Sequence, residues 1–393
     1  MRRVNAIAGR FMAFIWAVSI VAISSGAACA DAVKVNLMRV PDGGIQPQTA
    51  LDAAGALHLI YFKGAAMAGD IFYVRQDAGQ ETFSRPIRVN SRAKSAVAMG
   101  WIRGPQLAIG KNGRVHVAWN GSGEAEKGPG GNPMLYARLS DEGAAFEPQR
   151  NLITWAGGID GGGTLAADGA GNVYVFWHAM ANARDEAGRA VFLARSKDEG
   201  ETFAREEKAN PEPTGACGCC GMKAMVAADG AISVLYRAAG DNMNRDTILL
   251  VSRDKGATFE SRTLDKWQLM ACPLTTYSLS QGAPDSPIVG AWKTKEQVYF
   301  AALPSARKSP LKPIAAPGMG DNRKYPMVTA NANGDVLLAW TEGTLWGKGG
   351  SLAWQVFDKD GKATGDKGRA EGVAAWSLLS AVARPDGGFT LIY

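Results

Sequence analysis

The sequence has little net charge of either sign once its first residues are set aside. It contains 43 lysines and arginines and 37 acidic residues. Three of the basic residues, Arg2, Arg3 and Arg10, lie in an N-terminal stretch without acidic residues, so the remainder carries a net charge of only +3. This remainder contains no extended cluster of consecutive lysines and arginines. The composition therefore indicates neither a nucleic-acid partner nor an anionic membrane surface.

Histidine is scarce as well, and the common catalytic and nucleotide-binding motifs are missing. Only three histidines occur in 393 residues, against 48 glycines. Paired carboxylates at a defined spacing, a P-loop and a dinucleotide fingerprint are all absent from the sequence. With 46% hydrophobic residues, the chain is globular, and its glycine excess favours many short strands joined by tight turns over a helical bundle.

The first 30 residues have the pattern of an export signal. A basic start precedes an apolar run from Phe11 to Ile23, and small residues end at Ala30. The run has 13 residues, whereas a membrane-spanning helix needs about 20. We expect a signal peptide over residues 1–30, a mature domain over residues 31–393 without a membrane span, and a periplasmic or secreted protein. Attachment of lipid to Cys29 is the less favoured alternative, because Gly26 stands where lipoprotein signals usually carry an aliphatic residue.

A turn glycine followed by an alternating apolar strand recurs along the chain, which is the signature of a repeat fold. The intervals between copies are 58, 58, 59, 104 and 53 residues, and the double interval holds a weaker copy from Pro287 to Trp292. The last copy ends after two strands, so we expect the segment from Val33 to Val40 to complete it. The glycines that begin the six clear copies are Gly55, Gly113, Gly171, Gly230, Gly334 and Gly387.

A second pattern follows the strands of several repeats. It places an aspartate that accepts hydrogen bonds from downstream amides, a glycine suited to positive φ, and an aromatic residue that packs between repeats. Its two strong copies comprise Ser196, Asp198, Gly200, Thr202 and Phe203, and Ser252, Asp254, Gly256, Thr258 and Phe259.

This Ser-x-Asp-x-Gly-x-Thr-Phe pattern resembles the Asp-box, or BNR, repeat of the sialidase (neuraminidase) superfamily. The resemblance implies an all-β fold, a single β-propeller of four-stranded blades. A closed ring of such blades leaves few open sheet edges. The repeat count favours seven blades, and the six blades of sialidases are the alternative.

The resemblance also implies where sialidase chemistry would lie. Sialidases hold the substrate carboxylate with three arginines and use a tyrosine nucleophile polarised by a glutamate. Their opening F/Y-R-I-P motif falls on Gly44 to Pro47, with Ile45 in place of the arginine; a rival placement on Met38 to Pro41 keeps Arg39 but breaks the spacing. Their Y-S-x-L motif resembles Trp376 to Leu379, with tryptophan in place of tyrosine. Arg237 resembles the central arginine.

These replacements lead to a first functional hypothesis. A tryptophan N–H donates a hydrogen bond but cannot attack an anomeric carbon, so we expect a monomeric propeller that needs no cofactor and binds a glycan or other small polar ligand at the channel mouth. Residual exo-α-sialidase activity is the enzymatic alternative. For Arg237, an ion pair with a neighbour is as plausible as a ligand clamp. The candidate ligand-binding residues are Arg237, Arg245, Asp246, Arg323, Trp376 and His178, and Trp346 is suited to stacking on a sugar.

Cysteines and methionines are concentrated before the fourth and fifth repeat strands. Because equivalent loops of neighbouring blades are adjacent, we expect these residues to meet near the axis. In an exported protein, disulfides are the first interpretation. A soft-metal site of the copper type is the second, and a redox pair is the third. The residues are Cys217, Cys219, Cys220, Cys272, Met222, Met225 and Met270.

Overall fold

A computed structural model describes residue 1 and residues 35–304, 310–320 and 322–393. The signal peptide expected over residues 1–30, Cys29 included, lies almost entirely outside the described residues and stays a prediction. Residues 33–393 form one compact unit. Among the described residues, no helix is both long and apolar enough to cross a membrane.

The described chain forms 27 strands in seven sheets. Six sheets have four antiparallel strands in chain order, and the seventh has three strands. Two short 3-10 turns, Pro41–Gly43 and Lys111–Gly113, lie between strands. Seven blades, the number favoured by the repeat count, are confirmed, and the fifth repeat around Trp292 is a regular blade.

Blades 1 to 3 occupy the first half of the chain. Blade 1 contains β2 (Ile45–Leu51), β3 (Leu57–Ala65), β4 (Ala68–Gln76) and β5 (Ile87–Arg88). Blade 2 contains β6 (Gln106–Ile109), β7 (Val115–Asn120), β8 (Met134–Arg138) and β9 (Arg150–Asn151). Blade 3 contains β10 (Gly163–Ala167), β11 (Val173–Ala179), β12 (Ala190–Ser196) and β13 (Glu207–Lys208).

Blades 4 to 6 repeat the pattern in the second half. Blade 4 contains β14 (Lys223–Val226), β15 (Ile232–Arg237), β16 (Thr247–Ser252) and β17 (Glu260–Asp265). Blade 5 contains β18 (Ser278–Ser280), β19 (Val289–Thr294), β20 (Gln297–Ala302) and β21 (Ile314–Ala315). Blade 6 contains β22 (Lys324–Ala330), β23 (Val336–Glu342), β24 (Gly350–Phe357) and β25 (Ala363–Val373).

Blade 7 closes the ring by joining the two ends of the domain. It contains β26 (Ser380–Ala383), β27 (Phe389–Ile392) and the N-terminal β1 (Val35–Met38). β1 pairs with β27 in parallel, from Val35 opposite Phe389 to Met38 opposite Ile392. The expectation that the segment from Val33 to Val40 completes this blade is confirmed by its described part, β1, but the described residues give the blade three strands instead of four.

Blade-to-blade packing forms the core. The second strand of each blade is buried along most of its length, because a neighbouring blade covers each face. The tryptophans that end several of these strands are fully or almost fully buried, and they are packing residues. They are Trp119, Trp177, Trp292 and Trp340.

The two Asp-box turns have the same hydrogen bonds. In the first, the Asp198 carboxylate accepts hydrogen bonds from the Thr202 amide at 2.9 Å and from its hydroxyl at 2.5 Å, and Ser196 Oγ accepts one from the Gly200 amide at 2.8 Å. Burial opposes ionisation, but these hydrogen bonds lower the pKa of Asp198 to about 2. Phe203 packs edge-on against Tyr136 of the preceding blade, 4.8 Å between centroids.

The second turn reproduces this geometry around Asp254. Phe259 packs edge-on against Phe176 of the preceding blade. Because these turns join the third and fourth strands of a blade, they lie at the end of the channel opposite the points where the inner strands begin. We call the end where the inner strands begin the mouth.

Candidate functional site

Five bulky or polar residues with left-handed backbone lead into the inner strands at the mouth. A non-glycine residue with positive φ is strained, and such residues concentrate at functional sites. They come from three inter-blade connections and two strand starts, with φ between 47° and 66°. They are Gln46, Trp101, Leu274, Tyr325 and Trp376.

Three of these residues form an aromatic cluster with Trp346. Trp101 stacks on Tyr325 with 5.1 Å between ring centroids and contacts Trp376 at 4.7 Å. Trp346, from the loop between β23 and β24, meets Trp376 edge-on at 4.8 Å and is 59% exposed. The exposed indole of Trp346 therefore packs against aromatic rings that are themselves buried or partly buried.

Three cysteines converge beside this cluster, in the loop that leads into β14. The sulfur of Cys217 lies 3.3 Å from that of Cys219 and 3.5 Å from that of Cys220. All three sulfurs lie within 4.8 Å of one another, and the described part of the chain contains no other such group of potential metal ligands. Cys217 and Cys220 are buried, and Cys219 is partly exposed.

The loop is held in place by the chain around it. The amide of Cys217 donates to the carbonyl of Arg237 at 2.9 Å, and the amide of Gly221 donates to that of Thr275 at 2.9 Å. Glu186 accepts a hydrogen bond from the Gly218 amide at 2.7 Å. The three sulfurs are thus positioned by blades 3, 4 and 5 together.

Positive charge surrounds the sulfurs. Burial favours the neutral thiol, but hydrogen bonds from Cys217 and Cys219 and the charge of Arg237 lower the pKa of Cys220 well below its ordinary value. The pKa of Cys219 is raised by the hydrogen bonds of its thiol with Cys217 and Cys220, by burial, and by repulsion between neighbouring thiolates. The cluster therefore favours one thiolate, at Cys220. The other two thiols lose their protons only when a cation binds.

His178 contributes a group that lies far from the cysteines in sequence. It ends β11, is buried, and its Nε2 lies 3.4 Å from the carbonyl oxygen of Cys220. Its Nδ1 is buried without a hydrogen-bond partner among the described residues. Burial lowers the pKa of His178 to about 4. A neutral imidazole therefore adjoins the loop, although no histidine lies near these cysteines in sequence.

The fourth described cysteine does not join the cluster. Cys272 is exposed and free, and no disulfide links the described cysteines. The two cysteine loops do meet, but the contact is made by Thr275, beyond the left-handed residue Leu274. The disulfide expected from Cys272 to the triplet is therefore not seen.

The candidate methionines are likewise dispersed. Met222 is buried in the core between blades 3 and 4, and Met225 packs in the core between blades 4 and 5. Met270 is 84% exposed. None of them belongs to the group of three sulfurs.

Arg237 is an internal brace between blades. It is 1% exposed, and its guanidinium donates to the carbonyl of Arg245 at 2.7 Å and to that of Lys293 in blade 5 at 2.6 Å. Its charged end also lies over the rings of Trp267 and Tyr277. These carbonyl bonds replace the ion pair expected with Asp246, whose carboxylate instead accepts from the Trp267 amide at 3.0 Å.

The other two candidate arginines also have internal partners. Arg245 pairs with Glu186 at 2.7 Å. Arg323 is buried, donates to the carbonyls of Ala316 and Pro317, and lies 3.4 Å from the Glu342 carboxylate. Three arginines converging on one open pocket are not found among the described residues.

The positions matched to the sialidase motifs do meet at the mouth. Gln46 Nε2 donates to the Trp376 carbonyl at 2.8 Å and to the Ala98 carbonyl at 2.6 Å. Arg39, the rival motif arginine, is exposed elsewhere, donates to the carbonyls of Glu371 and Gly372, and lies over the Tyr393 ring. The geometry thus supports the placement on Gly44 to Pro47, where the arginine is lost.

Two tyrosines at the mouth lack the partner that a nucleophile needs. Tyr277 and Tyr325 are buried, and no carboxylate of the described residues bonds to either hydroxyl. Burial raises the pKa of both hydroxyls. Neither is activated for attack.

Comparisons with known proteins support the fold alone. No family model matches the sequence, and no curated protein matches it. Among solved structures, an alpha-L-arabinanase from Penicillium chrysogenum, complexed with arabinobiose, has a TM-score of 0.52 at 11% identity, covering 82% of this chain and 95% of its own. A protein of unknown function from Dyadobacter fermentans has a TM-score of 0.52 at 15% identity, covering 84% and 94%.

A sialidase structure is similar over a smaller share of its length. The Hadza microbial sialidase Hz136 has a TM-score of 0.50 at 15% identity and covers 76% of this chain. This chain spans 64% of the length of that sialidase. At such identities the likeness establishes a sialidase-like β-propeller and no activity.

Proposed function

We propose that this sialidase-like β-propeller binds one soft metal ion, Cu(I), through Cys217, Cys219 and Cys220 at the mouth of its channel. The observation that carries the proposal is the convergence of three sulfurs within 4.8 Å. Sulfurs bound to one ion at about 2.3 Å in a trigonal plane lie roughly 4 Å apart, so small side-chain movements would complete the site. Soft thiolate ligands favour Cu(I), Zn²⁺ and iron–sulfur clusters, and a planar three-sulfur set suits Cu(I).

The surrounding charge supports a monovalent ion. Three thiolates and Cu(I) carry two net negative charges, which need compensation inside a protein. Arg237 and Arg245 lie close enough to act on the sulfurs electrostatically. Zn²⁺ prefers four protein ligands in a structural site, and the fourth cysteine lies outside the cluster. We include export in the proposal, since the predicted leader would place the protein in the periplasm or outside the cell.

The test is titration of reduced, anaerobic protein with Cu(I) in competition with a coloured chelator. We expect one ion per chain, and a loss of affinity of more than about 100-fold in Cys217→Ser, Cys219→Ser or Cys220→Ser, exceeding the usual effect of losing an outer partner of a ligand. Cys272→Ser is the matched control and should bind as the wild type does. Unchanged binding in the triple serine variant would rule out the site. Formation of an internal disulfide without metal binding would favour a redox role.

A second candidate function rests on Trp346. Its half-exposed ring is backed by Trp101 and Trp376, an arrangement suited to stacking against a sugar. The ligand-binding hypothesis therefore moves from Arg237, which is buried and held by two main-chain carbonyls, to this indole. Screening wild type and Trp346→Ala on a glycan array tests it, with the partly exposed Trp155→Ala as control; binding that survives in Trp346→Ala excludes this surface.

A further inference from the structure

A lysine crosses the central channel below the mouth. Lys223 is the first residue of the inner strand β14 in blade 4. Its Nζ donates to Oε1 of Gln48 at 3.1 Å and to Oε1 of Gln106 at 3.5 Å. These glutamines belong to the inner strands of blades 1 and 2, so the lysine side chain spans the channel.

The lysine has no acidic partner there. Both groups that accept its hydrogen bonds are neutral, and Lys223 is the only charged residue among the described residues that line the adjoining cavity. Burial alone lowers the pKa of Lys223 to about 8, which leaves the ammonium mostly protonated at neutral pH. Lys223 as a whole is partly exposed. A cation that has lost most of its hydration without gaining a counter-charge is nevertheless costly, and proteins normally pair it.

Next to the ammonium is a cavity of about 40 Å³. A single water needs roughly 10–15 Å³ measured in this way, so the space admits a few waters or one small ion. Trp101 and Tyr325 of the mouth form part of its wall. A sugar does not fit, and no sulfur of the cysteine cluster belongs to the described lining.

We propose that Lys223, together with the carboxamides of Gln48 and Gln106, binds one small monovalent anion in this cavity. An ammonium has three N–H donors; two are taken by the glutamines, and the third is available to the anion. The anion supplies the missing negative charge and links three blades across the channel. Halide and formate share the required charge and size, whereas sulfate exceeds both. The site is independent of the copper proposal.

The direct test is a crystal of the wild-type protein grown in bromide. We expect an anomalous peak for one bromide within hydrogen-bonding distance of Lys223 Nζ. In solution, bromide or formate at constant ionic strength should raise the unfolding temperature saturably, by a few degrees, while sulfate should not give this saturable rise. A response to bromide but not formate would identify a halide site, and a response to both would identify a general small-anion site.

Two lysine variants separate this site from surface effects. Lys223→Met should lose the anion response, and Lys367→Met, on the exposed outer strand β25, should keep it. The proposal is overturned if Lys223→Met responds as the wild type does, or if the cavity of the bromide crystal holds no anomalous peak. The crystal result stands even if Lys223→Met does not fold.

Discussion

The side-chain amide of Gln46 donates a hydrogen bond to the main-chain carbonyl of Trp376, 2.8 Å away, at the channel mouth. Trp376 stands where the sialidase pattern has the nucleophilic tyrosine, and Gln46 directly follows Ile45, which stands where the pattern has a substrate-binding arginine. The contact between Gln46 and Trp376 joins blade 1 to the connection that enters blade 7. At the position where a sialidase has its catalytic tyrosine, this protein therefore has a tryptophan whose main-chain carbonyl accepts a structural hydrogen bond.

We expect no release of fluorophore from a fluorogenic sialoside above the uncatalysed rate. The substitution Trp376→Tyr should not create activity, because no carboxylate of the described residues is placed to polarise a hydroxyl there and Arg237 is bonded to carbonyls. Steady-state assays of both proteins check this. Turnover by either one would contradict the loss of hydrolysis.

Arg237 should matter for stability. Arg237→Lys removes a planar guanidinium that bridges two buried carbonyls, so we expect a loss of about 2–4 kcal/mol in the free energy of unfolding. Arg39→Lys is the matched control, since Arg39 also donates to two carbonyls and lies over an aromatic ring, but at the exposed surface. Its cost should stay within about 0.5 kcal/mol. Equal effects in denaturant titrations would contradict the internal role of Arg237.

The Asp-box turn should contribute stability that depends on pH. Asp198→Asn weakens three hydrogen bonds, and we expect a loss of about 1 kcal/mol at pH 7. Because the pKa of Asp198 is lowered to about 2, the contribution is full above pH 4 and disappears as the pH falls towards 2. Unfolding of wild type, Asp198→Asn and the neighbouring control Glu201→Gln at several pH values measures this. A pH-independent difference would be inconsistent with it.

His116 should make the protein sensitive to mild acid. Its Nδ1 lies 2.7 Å from the Tyr136 hydroxyl, and burial lowers its pKa to about 3. The unfolded chain takes up this proton below pH 6.5 and the folded chain does not, so stability is full above pH 6.5 and decreases down to pH 3. His116→Gln should flatten this dependence. His58→Gln is the comparison, since His58 is also bonded to a tyrosine but has Asp52 at 3.1 Å; an equal flattening in both variants would argue against the burial effect.

The fold was predictable because glycine spacing reports directly on blade repeats. Gly55 and Gly113 mark turns whose positive φ few other residues accept, and even the faint fifth repeat is a blade. The three-stranded last blade was less predictable, because nothing in the sequence from Val35 to Met38 specifies a parallel partner.

The site was predicted only in part. The adjacency of Cys217, Cys219 and Cys220 indicated a cluster, but the approach of His178 depends on the packing of two blades and leaves no local signal. Exposure of Cys272 and burial of Arg237 are set by loop geometry and by neighbouring blades.

Other mouth residues were missed for the same reason. Trp101 and Tyr325 adopt a backbone conformation that their residue types do not predict. Aligning the starts of the inner strands would have placed both at the mouth. The same alignment would have put Lys223 on the channel wall.

X-ray absorption at the copper edge of the Cu(I)-loaded protein tests the central claim most directly. Coordination by Cys217, Cys219 and Cys220 predicts one copper per chain with three sulfur neighbours at roughly 2.3 Å. A first shell of nitrogen or oxygen, or an unchanged spectrum in the triple serine variant, would contradict it.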